Sequence, residues 1–241
     1  RARLLEAVAA DVYGPQHLLR DGLVPPAAIT GHPGFLRPCH GITPPDHLFL
    51  HLLAFDVARA PAGSWRVIET RTQPPSGPGY ALENRLSLSS LFPEAFREQH
   101  VHLHAPFFRT FRETLLEAAP HDDGTPHIVL LTPGPFSETY FEHAYLSRYL
   151  GFTLAEGADL TARENHLFLK TVAGLKPVHG LVRRLDDDFC DPLELRTNST
   201  LGVAGLVQTW RSGHLLMANA PGLGVLDGGG GRQCVDRCGA G

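Results

Sequence analysis

The chain has 241 residues, a length that suits one or two domains of roughly 150 residues each. Hydrophobic residues at 43% against 19% charged exclude wholesale disorder, and no apolar run reaches the roughly 18 residues of a membrane span. A net charge of -4 and a pI near 6.4 exclude a basic nucleic-acid footprint, and 4 cysteines in such a length make no disulfide scaffold.

The chain opens at Arg1, without Met and already inside a helical pattern, and closes on Gly228–Gly231 and a short polar tail. Both ends therefore read as cut. Leu4, Leu5, Val8 and Val12 form one stripe of a helix over 2–13, which Gly14-Pro15 ends. A second short helix is expected over 16–21. Residues 22–46, rich in Pro and Gly, read as a long irregular connection. Strands over 48–57 and 65–70, joined by the turn 61–64, read as an antiparallel hairpin. The TQPPSGPG stretch, 72–79, is a loop. Helical pattern resumes over 80–91 and again over 106–118, where Phe107, Phe111 and Leu115 recur as a core face.

After Pro126 the texture changes. His127–Leu131 reads as a buried strand, 138–150 as a helix that ends at Gly151, and 152–155 as the next strand. This strand–helix–strand unit predicts a parallel, doubly wound layer. Further strands are expected over 166–170 and 178–183, then a helix near 201–211. The helix over 138–150 carries the apolar set Phe141, Tyr145, Leu146, Tyr149 and Leu150. No secretory signal pattern is visible.

Three constellations can carry chemistry. Asp56 and Glu69 lie on the two hairpin strands, where facing carboxylates suit Mg²⁺, a hard cation that takes oxygen ligands; the alternative is two solvated strand-end acids. In PSGPGYALENR, Ser76, Gly77 and Gly79 can turn backbone N–H groups toward an anion, with Glu83, Asn84 and Arg85 opening the following helix; the alternative is a structural turn. Arg183, Arg184, Asp186 and Asp187 follow a strand, where open α/β sheets place ligand residues. Paired Arg suits phosphate or carboxylate, against a surface salt-bridge cluster as the plain reading. His100, His102 and His104 alternate and would share one face of a strand, but lack supporting ligands for zinc. The cysteines and Ser137 stand in no catalytic arrangement; Ser137 lacks the GxSxG elbow.

Together LLEAVAADVYGPQHLL, GHPGFLRPC, WRVIETRTQPPSGPGYALENR, LLTPGPFSETYFEHAYLSRYLGF, EGADL, LVRRLDDDFCDPLELR and LGVAGL resemble the circularly permuted ATP-grasp proteins of bacteria, often encoded beside or fused to alpha-E domains. The resemblance runs from residue 1 to about residue 224. It implies an α/β (α+β overall) fold: an irregular helical segment over 1–46, part of an ATP-grasp lobe with the metal half-site over 47–120, and a Rossmann-like substrate-side unit over 121–224. Residues 225–241 read as a foreign tail. The implied activity is that of a cytoplasmic carboxylate–amine ligase, similar to glutathionylspermidine and glutathione synthetases. ATP phosphorylates a carboxylate and an amine displaces the phosphate.

The resemblance implies ATP and Mg²⁺ as cofactors, with Asp56 and Glu69 as metal ligands. Arg71 stands where the family pattern has Asn, and either Glu83 or Asn84 replaces that ligand or Arg71 meets phosphate itself. Ser76, Gly77, Glu83, Asn84 and Arg85 are the expected nucleotide side. Arg71, Arg183 and Arg184 are the expected catalytic cations, and Asp186 and Asp187 the substrate contacts. Expected partners are a small-molecule or peptide carboxylate and an amine, with an alpha-E domain protein beside them and neither nucleic acid nor membrane. The second lobe of such a site, with its Lys and Gly-rich loop, has no counterpart here: Lys170 and Lys176 stand in other contexts. That gap leaves a non-catalytic binding module for a peptide or small carboxylate as the alternative reading.

Overall fold

The computed structural model describes residues 1–227. The first helix, α1 (Ala2–Tyr13), buries Leu5, Val8, Ala9, Val12 and Tyr13, so the predicted stripe is its core face. Short helices α2 (His17–Arg20) and α3 (Pro26–Thr30) and a 3₁₀ turn at Arg37–Cys39 punctuate the Pro/Gly-rich connection.

The hairpin is β1 (Ala54–Arg59) and β2 (Trp65–Arg71). Its first strand starts six residues later than the pattern suggested. The reason lies in the backbone of 49–52, whose N–H groups are taken by side chains instead of a ladder. Glu6 accepts from Phe49 and Leu50, both at 2.9 Å, and Asn219 Oδ1 accepts from His51 and Leu52, both at 2.8 Å. A chain segment bonded this way is held extended without a partner strand.

Helices α4 (Pro78–Leu91), α5 (Pro93–Glu98) and α6 (Ala105–Ala118) follow. In α6 the inward residues are Phe108 and Leu115, while Phe107 is half exposed, so the aromatic stripe is rotated from the expected one. His100, His102 and His104 lie outside any strand; His100 adopts φ 50° and His104 is the N-cap of α6. They share no strand face, which removes the geometric basis of a zinc triplet.

The centre is a four-stranded parallel sheet in the order β4 (Thr153–Ala155), β3 (Ile128–Leu131), β8 (Gly180–Arg183), β9 (Leu216–Ala218). Helix α7 (Tyr140–Leu150) joins β3 to β4, with Gly151 at φ 70° as its left-handed stop. Between β4 and β8 the chain makes an antiparallel meander of β5 (Leu160–Arg163), β6 (His166–Thr171) and β7 (Gly174–Val178). The strand expected over 178–183 is therefore broken at His179: Val178 ends β7 of the meander, and Gly180–Arg183 form β8 of the parallel sheet. The last helix, α8 (Leu206–Arg211), is shorter than expected. The buried Asp191 carboxylate accepts from the Gly205 and Val207 amides at 3.2 and 3.0 Å, capping its first turn.

Alternation along the strands feeds two cores. Val129, Leu131, Leu181 and Met217 face α1 and α8, beside Trp210 and Leu206. Ile128, Leu130, Val182, Leu216 and Ala218 face the other way, against Phe108, Leu115, Leu146 and Leu150 of α6 and α7. The result is a helix–sheet–helix sandwich. Leu5, Val8 and Val12 of α1 share the core of the sheet, and so do Val225 and Leu226, which are buried. The Gly228–Gly231 run and the rest of the expected tail lie outside the described residues. Among the described residues no helix is long and apolar enough to cross a membrane.

Candidate functional site

In the sheet order β4-β3-β8-β9, the chain leaves β3 in one direction and β8 in the other. The carboxyl ends of β3 and β8 thus flank a crevice at the point where the winding reverses, the usual ligand position of such sheets. The residues that leave those ends are Thr132 to Pro135 and Arg183 to Leu185. A strap, residues 72–77, crosses there on its way from β2 to α4.

The strap is fastened at four of its six residues, Thr72, Gln73, Pro75 and Gly77. The single Thr72 hydroxyl proton is shared between Leu223 O and Asp227, each 2.7 Å from Oγ1, and the Thr72 amide also donates to Asp227. Asn219 Nδ2 donates to Thr72 O at 2.8 Å. The Gln73 side chain accepts from Arg183 Nη1 at 3.0 Å and donates to Asp187 Oδ2 at 2.5 Å. Arg184 Nη1 donates to Pro75 O at 3.0 Å. Gly77 N–H donates to Glu142 Oε1 and Oε2 at 2.9 and 3.0 Å, and Gly79 N–H to Oε1 at 3.0 Å.

These bonds place the sequence-derived candidates. Arg183 is fully buried and donates also to Leu185 O and Asn219 O; its Nη2 has no partner among the described residues. Arg184 is buried beside Glu142, Nη2 to Oε2 at 3.5 Å, and its Nε is likewise without a partner. Burial holds the Arg184 guanidinium below its usual range, with the Glu142 charge pulling the other way. Asp187 is buried, accepting from Gln73 and from Gly222 N at 2.8 Å, whereas Asp186 is exposed. The Arg/Asp edge is thus an internal network rather than a surface salt-bridge cluster.

The Gly77 and Gly79 amides do turn toward an anion, but the anion is the carboxylate of Glu142. It sits at the N-terminus of α4, where the helix dipole favours negative charge. Ser76 is exposed beside it. Glu83 accepts from Ser87, Asn84 is exposed, and Arg85 turns away to His102 O at 2.6 Å, so these three do not converge. Buried His143 lies between Thr132 Oγ1 at 2.9 Å and Thr139 Oγ1 at 3.0 Å. Desolvation, then the charge of Arg184, lowers its pKa to about 4, which keeps it neutral. Cys39 and Cys190 are buried, and burial pushes the Cys190 thiol up to about 12, the state of an inert thiol.

Asp56 and Glu69 are direct register partners, as expected of the hairpin, with a bulge just beyond Asp56. Arg71 lies on the same face and joins them: its Nη2 is 2.7 Å from Asp56 Oδ2 and 3.3 Å from Glu69 Oε2. Its hydrogen bond holds the Asp56 carboxyl below the usual range. As the side chains stand, the pair does not fit a divalent ion, because a guanidinium takes one oxygen of each acid. Among the described residues no three His, Cys, Asp or Glu side chains converge as a metal site.

Gln73, Glu142, Asn219 and Asp227 hold the site together, and none carries a spacing signal. Each acts on a partner at least 65 residues away.

The chain matches the family model described as circularly permuted ATP-grasp type 2 over residues 1–237. It is 41% identical over 227 residues to the uncharacterized protein sll0335 of Synechocystis sp., covering 94% of this chain and 47% of that relative. Two uncharacterized proteins of Mycobacterium tuberculosis, Rv2567 and Rv2411c, are 40% and 38% identical over the same span. They are covered to 26% and 41% of their lengths. The chain thus spans half or less of these relatives.

Proposed function

The chain belongs to the circularly permuted ATP-grasp type 2 family, and from that premise we propose that it is part of an ATP-dependent carboxylate–amine ligase. In that reaction a substrate carboxylate oxygen attacks the γ-phosphorus of ATP and ADP leaves. An amine nitrogen then attacks the acyl carbon, phosphate leaves, and the nitrogen gives up a proton. ATP and Mg²⁺ are the general requirements of ATP-grasp enzymes.

The observation that supports this reading is the pair of buried, unpartnered guanidinium donors, Arg183 Nη2 and Arg184 Nε, at the carboxyl end of β8. A buried donor without an acceptor costs roughly 1–3 kcal/mol. Two of them at a sheet's switch point favour an incoming anion. Here Arg183 and Arg184 hold and orient a carboxylate or phosphate oxygen, Asp187 positions Arg183 through Gln73, and exposed Asp186 and Ser76 rim the crevice. No step is assigned to a metal at Asp56 and Glu69, since Arg71 fills that face. The reading places the reaction in the cytoplasm, with an alpha-E domain protein as the expected macromolecular partner.

A specific observation favours a second reading, a non-catalytic module for a peptide or small carboxylate: Arg71 is seated between the two acids that would serve a nucleotide-bound metal. Hydroxylamine trapping separates the two. This chain and the longer Synechocystis relative are incubated with ATP, Mg²⁺, hydroxylamine and a pool of amino acids and short peptides. The ligase reading expects ATP-dependent hydroxamate and ADP from the longer protein, lost on replacing the residue that aligns with Arg184 by Ala. Neither product from either protein overturns it and leaves the binding module.

A further inference from the structure

Arg71 stands two residues beyond Glu69, on the same face of β2, and reaches across the ladder to Asp56 on β1. Besides the Nη2 contacts to both acids, its Nε donates to Asp56 Oδ2 at 3.2 Å. One guanidinium therefore spans the two carboxylates that the strand register sets opposite each other. The hydrogen bond to Asp56, then the charges of Asp56 and Glu69 and last that of Asp227, raise the Arg71 guanidinium above its usual range.

We propose that Arg71 is the resident cation of the Asp56–Glu69 pair, so that this face holds no divalent ion in the wild-type protein. Mg²⁺ requires a near-octahedral set of oxygens at about 2.0–2.1 Å. Asp56 Oδ2 and Glu69 Oε2 are both engaged by the guanidinium. An arginine in a protein does not shed its proton to make room. Its charge also repels any second cation at hydrogen-bonding range of the same two acids. The Arg71, Asp56 and Glu69 side chains are 54%, 46% and 41% exposed. Exposed ion pairs contribute little to folding, so Arg71 can be removed without endangering the hairpin. The inference concerns ion binding without nucleotide and stands apart from the ligase reading.

The test is titration of Mn²⁺ into the purified chain, followed by loss of the free-ion paramagnetic resonance signal. Wild type, Arg71→Ala and Arg71→Ala with Asp56→Asn are compared, each checked for an unchanged melting curve. Wild type is expected to show no saturable binding in the millimolar range. Arg71→Ala gains a saturable site about two- to fivefold tighter than any wild-type binding, the effect of freeing one exposed ion-paired acid, and Asp56→Asn in that background abolishes it. Wild-type binding as tight as that of Arg71→Ala, and lost in the Asp56→Asn variant, overturns the proposal. Failure of Arg71→Ala to gain a site overturns it equally, because the guanidinium was then not what kept the ion away.

Discussion

The carboxylate of Glu142 receives the backbone N–H of Gly77 on both of its oxygens, across 65 residues of sequence. A third bond from Gly79 and the contact with Arg184 complete a buried anion shared by a loop, a helix terminus and a cation. Removing one member strands the others. Glu142→Ala is expected to cost about 3–5 kcal/mol, the toll of leaving the Arg184 charge unpaired in the interior. Glu142→Gln, which keeps one acceptor oxygen, is expected to cost about 1–3 kcal/mol. Urea unfolding measures both, and equal stability of Glu142→Ala and wild type would show that the strap is anchored elsewhere.

Gly79 allows α4 to approach that carboxylate. A Cβ there would lie 2.8 Å from Glu142 Cγ and 3.2 Å from Leu146 Cγ. The Glu142 side chain is pinned by its bonds and cannot step aside. Gly79→Ala is therefore expected to destabilise by about 1–2 kcal/mol, the overpacking cost outweighing the better helix propensity of Ala. A melting temperature that rises instead would mean that α4 and α7 can separate freely.

His143 makes stability depend on pH. Its folded pKa, about 4, lies below the usual 6.5. The unfolded chain therefore binds the extra proton first as pH falls. The contribution of neutral His143 is complete above pH 6.5 and is lost progressively as pH falls toward 4, by an amount on the order of 3 kcal/mol. Unfolding at pH 7.5, 6 and 5 tests this, with His143→Gln expected to flatten the dependence. The same slope in both proteins would assign the pH effect to other groups.

The hairpin should be the loosest ordered element. Among the described residues β1 and β2 pair only with each other, and Val57, Trp65 and Ile68 are about half or more exposed. Two-stranded sheets are marginal without further cover. Amide exchange is expected to be fast over 54–71 and slowest in β3 and β8, whose residues are buried throughout. Equal protection in both regions would show that the hairpin is held by more than its own ladder.

Elements whose apolar spacing is local were legible in the sequence: α1, β3, the hairpin and its facing acids Asp56 and Glu69. Helix α7 shows why the rest was not. Its apolar set divides, with Leu146 and Leu150 inward while Phe141 and Tyr149 face solvent in an aromatic ladder with Tyr145 and Tyr80. The inward positions beside them are Glu142 and His143. A polar residue turns inward only if distant partners wait for it, and those partners, Gly77 and Arg184 for one and Thr132 for the other, are set by the fold rather than by spacing. The same holds for Arg183 and Arg184, whose place after a strand leaves a ligand edge and a surface salt-bridge cluster both open and whose guanidiniums are buried.

The clasp between Thr72 and Asp227 spans 155 residues, and it sets an order of events during synthesis. Chains emerge from the ribosome at about 5–20 residues per second, so the strap waits roughly 8 to 30 seconds for its clasp. In that interval the strap can already reach Glu142, Arg183, Arg184 and Asp187, but its Thr72 end, with the hairpin behind it, stays unclasped. Chaperone contact and proteolysis of nascent chains should therefore concentrate on residues 49–72, and should fall once Asp227 has left the exit tunnel.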